Sequence, residues 1–371
     1  MKKISHRYVR KTAAGVVALS MLCAAAIPSV LAMPAGAASA SGDLNGDGSV
    51  TAADVAILQT SLLGGTALTA EQYANADVTG DGAVDGLDLT RLRQMAAVVP
   101  VSDAIAIHLS DSGITVEGDT KGVTAVSGKA VTISASGNYT VDGSITDGQI
   151  LVNIPDTTAD SDAVSLYLQD VTMTSSNGAP CILGQSAKKL KLTCSGENTL
   201  TDTAAEANAD TSGVIYGDCD ITVTKNSTGT LNITSSMNTA IRSKDDIKLN
   251  GGAVVINTDV DDTSDADAIR ANNTLEVDGA SVSITSSADG LKSSKEDVSI
   301  LSGKVSIKVG NDAVQAATAL NISGGTVIAS GDRGFTLDEN GTLAITGGDV
   351  LATATDYAFG MDSSGAAVTV D

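Results

Sequence analysis

Three phrases, Gly251-Gly252-Ala253-Val254-Val255-Ile256, Gly303-Lys304-Val305-Ser306-Ile307 and Gly324-Gly325-Thr326-Val327-Ile328, decide the fold. Each sets glycine before a short run in which valine or isoleucine alternates with another residue, the pattern of a half-buried strand entered through a tight turn. Working outward, strands of this kind begin at Leu231, Val254, Val282, Val305, Val327 and Val350. Another set begins at Ile215, Ile241, Ile269, Leu291, Val314, Phe335 and Phe359, with spacings of 26, 28, 22, 23, 21 and 24 residues. A further set begins at Ile221, Ile247, Leu275, Val298, Leu320, Leu343 and Val368, and all three keep step. A sandwich would show strands without a common period. Three short strands in every repeat predict a mainly β chain: a right-handed parallel β-helix with three strands per coil, over residues 104–371.

In such a solenoid, residues of equal phase stack about 4.8 Å apart. Asp267, Asp289 and Asp312 then form one column, with Arg333 at the next place, and Arg242, Arg270, Lys292 and Gln315 form another three residues on. Neighbouring carboxylates at that distance repel by on the order of 1 kcal/mol even in water. Compensation is expected from the basic column or from bound cations. Two acidic insertions fall at the turn between a third strand and the next first strand. One carries Asp202, Glu206 and Asp210; the other carries Asp259, Asp261, Asp262, Asp265 and Asp267. Solenoid insertions gather on one face, often the binding face, although acidic turns also keep a long edge soluble.

Composition excludes several function classes. Among 371 residues, 22 Lys and Arg face 44 Asp and Glu, a net charge of −22, which rules out nucleic-acid binding through phosphate neutralisation. Trp is absent and Phe occurs twice, so no aromatic platform is available for stacking on crystalline polysaccharide. His6 and His108 are the only histidines, too few for a multi-histidine zinc site. Beyond the leader the cysteines are Cys181, Cys194 and Cys219, an odd number that reads as buried thiols and not as a disulfide framework.

The leader is residues 1–40. A basic start (Lys2, Lys3, Arg7, Arg10, Lys11) precedes an apolar run from Ala13 to about Leu31, followed by Ala35-Gly36-Ala37 and Ala38-Ser39-Ala40. This is the layout of a secretory signal peptide cleaved after Ala37 or Ala40. Secretion is the expectation, with no membrane association after cleavage, because no other stretch is apolar for long enough to span a bilayer.

Residues 43–54 carry Asp43, Asn45, Asp47, Ser49 and Asp54 at loop positions 1, 3, 5, 7 and 12, with Gly48 at position 6. Thirty-four residues on, Asp77, Thr79, Asp81, Ala83 and Asp88 repeat the spacing around Gly82. A hard cation wants six or more oxygens, and glycine permits the turn between them. Each loop leads into a helical pattern, Val55-Leu58-Leu62 and Leu89-Leu92-Met95. Residues 41–98 resemble a type I dockerin, and the match covers the whole module. The resemblance implies Ca2+ held by the residues just named (Ser49 and Ala83 through their carbonyls) and docking to a cohesin of a cellulosome scaffoldin. It further implies that Ala52, Ala53, Gly86 and Leu87 read the cohesin, assisted by Arg93. Thr79 departs from the usual asparagine.

Residues 104–371 resemble the bacterial carbohydrate-binding parallel β-helix proteins related to pectate lyases. The phrases are Ser243-Lys244-Asp245-Asp246, Asp267-Ala268-Ile269-Arg270, Asp289-Gly290-Leu291-Lys292 and the Gly-Gly-x-Val strands. This resemblance implies calcium within the solenoid and affinity for plant cell-wall polysaccharide, acidic pectic chains included. Two readings of function follow. In the first, a secreted, cellulosome-associated, non-catalytic protein binds polysaccharide through calcium at Asp259, Asp261, Asp262, Asp265, Asp267 and Asp289, and through Arg242, Arg270 and Lys292. In the second it is a calcium-dependent polysaccharide lyase. β-Elimination needs a metal to neutralise the uronate and a base to take the C5 proton; Lys292 is the candidate base, with Arg270 next. A purely structural adhesin is a third reading.

Overall fold

The computed structural model describes residues 42–46, 50, 52–96, 104–258, 267–361 and 369–370. The leader (1–40), the loop residues Asp47 and Ser49, and the insert residues Asp259, Asp261, Asp262 and Asp265 lie outside the described residues.

The first part is helical: α1 (Ala52–Leu62), α2 (Ala70–Ala76) and α3 (Gly86–Ala96). The 34-residue repeat shows in the packing. Leu58 and Leu92, equivalent positions of the two halves, are both fully buried and share a small core with Leu44 and Ala76. Arg93 Nη2 donates to Oε1 of its own equivalent, Gln59, at 3.0 Å. α2 sits between the copies and starts with a capping box, in which Thr69 Oγ1 accepts from Gln72 N and Gln72 Oε1 accepts from Thr69 N. No helix among the described residues is long and apolar enough to cross a membrane.

Among the described residues from Ile105 onward every regular element is a β-strand, in a solenoid of about eight turns whose strands pair in parallel with those of the coils before and after. The first face stacks Ile150, Ile182, Ile215, Ile241, Ile269, Leu291, Val314, Phe335 and Phe359 in unbroken succession. The second stacks Leu190, Ile221, Ile247, Leu275, Val298, Leu320 and Leu343. The third stacks Leu231, Val254, Val282, Val305, Val327 and Val350. These are the three periodic sets; Val368 alone lies outside the described residues. From Ile150 to Leu343 their side chains point inward and form one continuous core, with Val350 packed partly buried against it; the exposed Phe359 makes an edge-on contact with the buried Phe335, ring centroids 5.3 Å apart.

The solenoid also extends N-terminally of the region where the period is clear. Strands Ile105–Leu109, Gly137–Thr146 and Ala163–Ser175 already pair in parallel, coil on coil. Two antiparallel pairings accompany the first of them, Ile105–Leu109 with Thr115–Glu117 and Thr124–Ser127 with Ala130–Ile133. Atypical terminal units of this kind are what a solenoid uses to close its open end.

The Gly-Gly phrases mark one corner of the coil. Gly303, Gly325 and Gly348 stack there with φ of 97°, 82° and 87°. A Cβ on Gly325 would lie 2.7 Å from Gly303 O, and one on Gly303 would lie 2.3 Å from Ala280 O. Left-handed backbone and close stacking both demand glycine. Gly325→Ala is therefore expected to destabilise the solenoid by about 2–3 kcal/mol, read as a lowered urea midpoint; an unchanged midpoint would show that the corner can relax.

Candidate calcium and polysaccharide sites

The second helical loop brings its acids together. One carboxylate oxygen from each of Asp77, Asp81 and Asp88 lies within 4.8 Å of the others. Asp77 Oδ1 accepts from Gly80 N and Asp81 N at 2.8 and 3.1 Å, and its Oδ2 accepts from Gly82 N at 2.9 Å. Asp88, buried at the head of α3, accepts from Thr79 N, Thr79 Oγ1 and Asp85 N at 3.1, 2.9 and 2.9 Å. Burial pushes the Asp88 carboxyl up, but these donors outweigh it and hold the group below its ordinary value, so it stays ionised. The first loop has the same framework. Asp54 Oδ1 accepts from Leu44 N at 2.8 Å and Asn45 N at 3.0 Å, and Asp43 Oδ1 accepts from Gly46 N at 2.7 Å. Ionised, convergent oxygens on a glycine-hinged loop fit Ca2+.

The Thr79 hydroxyl is turned onto Asp88, where it donates to the position-12 carboxylate. An asparagine carbonyl at that place can only accept. Thr79→Asn should tighten calcium at the second loop severalfold in a chelator-competition titration; equal or weaker affinity would count against Asp77, Asp81 and Asp88 as its ligands.

Of the residues expected to read a cohesin, Gly86 and Leu87 stand exposed at the start of α3, Leu87 at 64%. Ala52 and Ala53 open α1, but their side chains lie outside the described residues. Arg93 is exposed on the last turns of α3.

On the solenoid, Arg242, Arg270, Lys292 and Gln315 do stack in successive coils, and Arg333 stands opposite Asp312. Asp267, Asp289 and Asp312 are all buried. The basic side chains compensate them directly. Lys292 Nζ lies 2.7 Å from Asp289 Oδ2 and 3.8 Å from Asp267 Oδ1; Arg270 Nη1 lies 3.6 Å from Asp267 Oδ2; Arg333 Nε lies 2.6 Å from Asp312 Oδ1. Asp289 Oδ1 also accepts from Asp312 N at 3.0 Å. Burial pulls the Lys292 ammonium down, but Asp267 and Asp289 more than restore it, so the group is held charged above its ordinary value. A lysine locked in that state is a poor base for a C5 proton. Arg242 continues the column, half-buried.

The early insertion divides. Asp202 is buried and ties coils together, accepting from Ala204 N at 3.0 Å, Ser235 Oγ at 3.1 Å and Asn238 Nδ2 at 2.8 Å. Glu206 and Asp210 are exposed.

A second acidic cluster among the described residues was not anticipated. Asp220, Asp245 and Asp246 each place a carboxylate oxygen within 4.8 Å of the other two. Asp245 and Asp246 occupy the corner after strand Ile241–Ser243, and Asp220 begins the strand Asp220–Val223 one coil earlier. Register makes the cluster: Ile221 pairs with Ile247, so the residue before each falls side by side. Asp245 Oδ1 accepts from Asn273 Nδ2 at 2.7 Å, Asp246 Oδ1 from Thr274 N at 3.0 Å, and Lys189 Nζ lies 3.6 Å from Asp220 Oδ2. Burial, then Asp245 and Asp246, raise the Asp220 carboxyl above its ordinary value. Reading the two positions ahead of each second-face strand would have found this set; the phrase Ser243-Lys244-Asp245-Asp246 supplied only two of the three. Half-buried hard-oxygen donors with one nearby lysine suit a calcium ion.

The thiols of Cys181, Cys194 and Cys219 are free and buried, each pushed up to about 12, chiefly by burial. None can act as a thiolate nucleophile.

Residues 127–358 match the family described as carbohydrate-binding domain-containing protein, and residues 41–95 match the dockerin type I domain. A relative of the former description from Acetivibrio thermocellus is 33% identical over 138 residues, 36% of this chain and 46% of the relative. The chain thus spans about half the length of the curated relative it matches. A solved structure described as a polysaccharide lyase-like protein from C. thermocellum, in a gadolinium derivative, is similar at 20% identity with a TM-score of 0.48, over 72% of this chain and 97% of that one.

Proposed function

Because the chain belongs to the family of carbohydrate-binding domain-containing proteins and carries a type I dockerin domain, we propose that it is a secreted, non-catalytic polysaccharide-binding protein of the cellulosome. Residues 1–40 direct export, 41–98 dock to a cohesin, and 104–371 bind plant cell-wall polysaccharide, acidic pectic chains by preference, with calcium as the bridge. The observation that carries the calcium reading is the convergence of Asp220, Asp245 and Asp246 from two successive coils. A cation there relieves their mutual repulsion and keeps coordination positions for a uronate carboxylate. A polymer bearing a carboxylate on every sugar gains from several weak contacts at once. The pairing of Lys292 with two aspartates supports binding over elimination.

The test is affinity electrophoresis in polygalacturonate gels with calcium or chelator. Retardation is expected only with calcium, and Asp245→Asn with Asp246→Asn is expected to reduce it severalfold with the fold intact. Equal retardation in chelator would overturn the calcium bridge. Accumulation of an ultraviolet-absorbing unsaturated product, lost in Lys292→Ala, would establish the lyase instead.

A further inference from the structure

The corner between the second and third faces is turned by left-handed glycine in coil after coil. Gly143, Gly196, Gly252, Gly303, Gly325 and Gly348 hold φ of 92°, 62°, 68°, 97°, 82° and 87° there. Among the described residues one side chain breaks the rule. Asp170 stands in this corner, between Gln169, which pairs with Ser195, and Thr172, which pairs with Thr199, and its φ is 51°. The other left-handed residues that are not glycine, Asp147 and Asn340, lie at different turns of the coil.

A side chain in this conformation crowds its own backbone, a cost that glycine avoids. Strain of this kind, where it persists, points to a role for the side chain that causes it. Asp170 uses both carboxylate oxygens. Oδ1 accepts from Glu197 N of the next coil at 2.8 Å. A Cβ on Gly196 would run into that oxygen, so the next coil leaves its place open. Oδ2 accepts from Arg91 Nη2 at 3.1 Å, and Arg91 belongs to α3 of the dockerin. Arg93, two residues on, is taken up inside the dockerin by Gln59. The equivalent of Arg91 in the first half, 34 residues earlier, is Ile57, which has no charge with which to make the contact.

We propose that Asp170 is the seat of the dockerin on the solenoid: α3 docks there through Arg91, and the chain holds its own helical module in one orientation. Residues 97–103 alone separate Ala96, the end of α3, from Ala104, so the two partners meet by a short tether and at high effective concentration. The carboxylate is already fixed by Glu197 N, so little rotamer freedom is lost when the guanidinium arrives. Leu87, one turn before Arg91 on the same helix face, stays 64% exposed, and the contact leaves it open to a partner. The duplication gives the seat a direction. Exchanging the two halves of the dockerin would bring Ile57 to Asp170 and break the pair. Whatever the solenoid binds, its surface then keeps a set angle to the docking module.

Double electron–electron resonance on the calcium-loaded full chain tests the proposal, with nitroxides at Glu71→Cys on α2 and Lys188→Cys on the solenoid. Both positions are exposed, and Cys181, Cys194 and Cys219 are buried and stay unlabelled. One dominant distance is expected. Asp170→Gly, which installs the residue the other coils use, and Arg91→Gln should each lower the docked-to-free ratio about fivefold. The double variant should lower it no further, because both changes remove the same contact. Asp170→Gly should meanwhile unfold in urea at the wild-type midpoint or above it, since the left-handed side chain is gone. A broad distribution in the wild-type chain, distances indifferent to both single variants, or losses that add in the double variant each overturn the proposal. A lowered urea midpoint for Asp170→Gly with unchanged distances makes Asp170 a brace for Glu197 alone, and overturns it too.

Discussion

Residues 41–98, expressed alone, lose most of their helical far-ultraviolet dichroism when calcium is chelated and regain it when calcium returns. The apolar core of this part is small; Leu44, Leu58, Ala76 and Leu92 are its fully buried members. A domain of this size buries too little surface to be secure by itself, and metals commonly make up the difference. The loops oppose folding further, since Asp77, Asp81 and Asp88 crowd carboxylates within 4.8 Å and Asp88 is held ionised. When binding sites form only on folding, metal affinity becomes folding free energy. Helicity unchanged in chelator would mean that the Thr79 and Asp85 bonds to Asp88 already suffice.

The second large effect belongs to the charged column. Lys292→Met leaves Asp267 and Asp289 buried with one cation fewer, and breaking a buried pair in this way costs roughly 3 kcal/mol. The loss should depend on pH. Burial first, and Asp289 after the opposing pull of Lys292, lift the Asp267 carboxyl from 3.8 to about 7. The folded chain therefore holds a proton there that the unfolded chain gives up near 3.8. Through this group, stability is greatest at low pH, falls as pH climbs from about 4 to 7, and is level above that. Without Lys292, which pulls the Asp267 carboxyl down, the fall extends to higher pH. Urea unfolding should show a large deficit for Lys292→Met about one unit above this window, near pH 8, and a smaller one inside it, near pH 5. Equal deficits at the two pH values would mean that Asp267 is ionised throughout.

The coils from Ile215 onward were legible because each returns to the same phase after a nearly constant number of residues, and aliphatic side chains mark every return. The coils at Ile150 and Ile182 were not, because longer excursions separate them from Ile215 and their strands run on through the corners, as in Ala163–Ser175. The Asp267–Asp289–Asp312 column could be placed from phase alone. Phase left open whether bases or cations balance it; that depends on the reach of Lys292 and Arg333, which only side-chain geometry provides. The Asp220–Asp245–Asp246 cluster needed register across coils as well as spacing along the chain. In the helical part both loops were legible from spacing, while the turning of the Thr79 hydroxyl onto Asp88 was not.

Among the described residues the three free thiols lie in two adjacent coils, Cys181 and Cys194 in one and Cys219 in the next. Held near 12 by burial, they stay protonated and inert toward alkylating reagents while their coils are closed. Any labelling therefore reports a breathing event. In a stack whose units touch only their neighbours, opening propagates coil by coil. The order in which a mass-tagged maleimide reaches the three sulfurs would thus record where the solenoid first comes apart. The molecule carries its own unfolding clock, readable without any engineered probe.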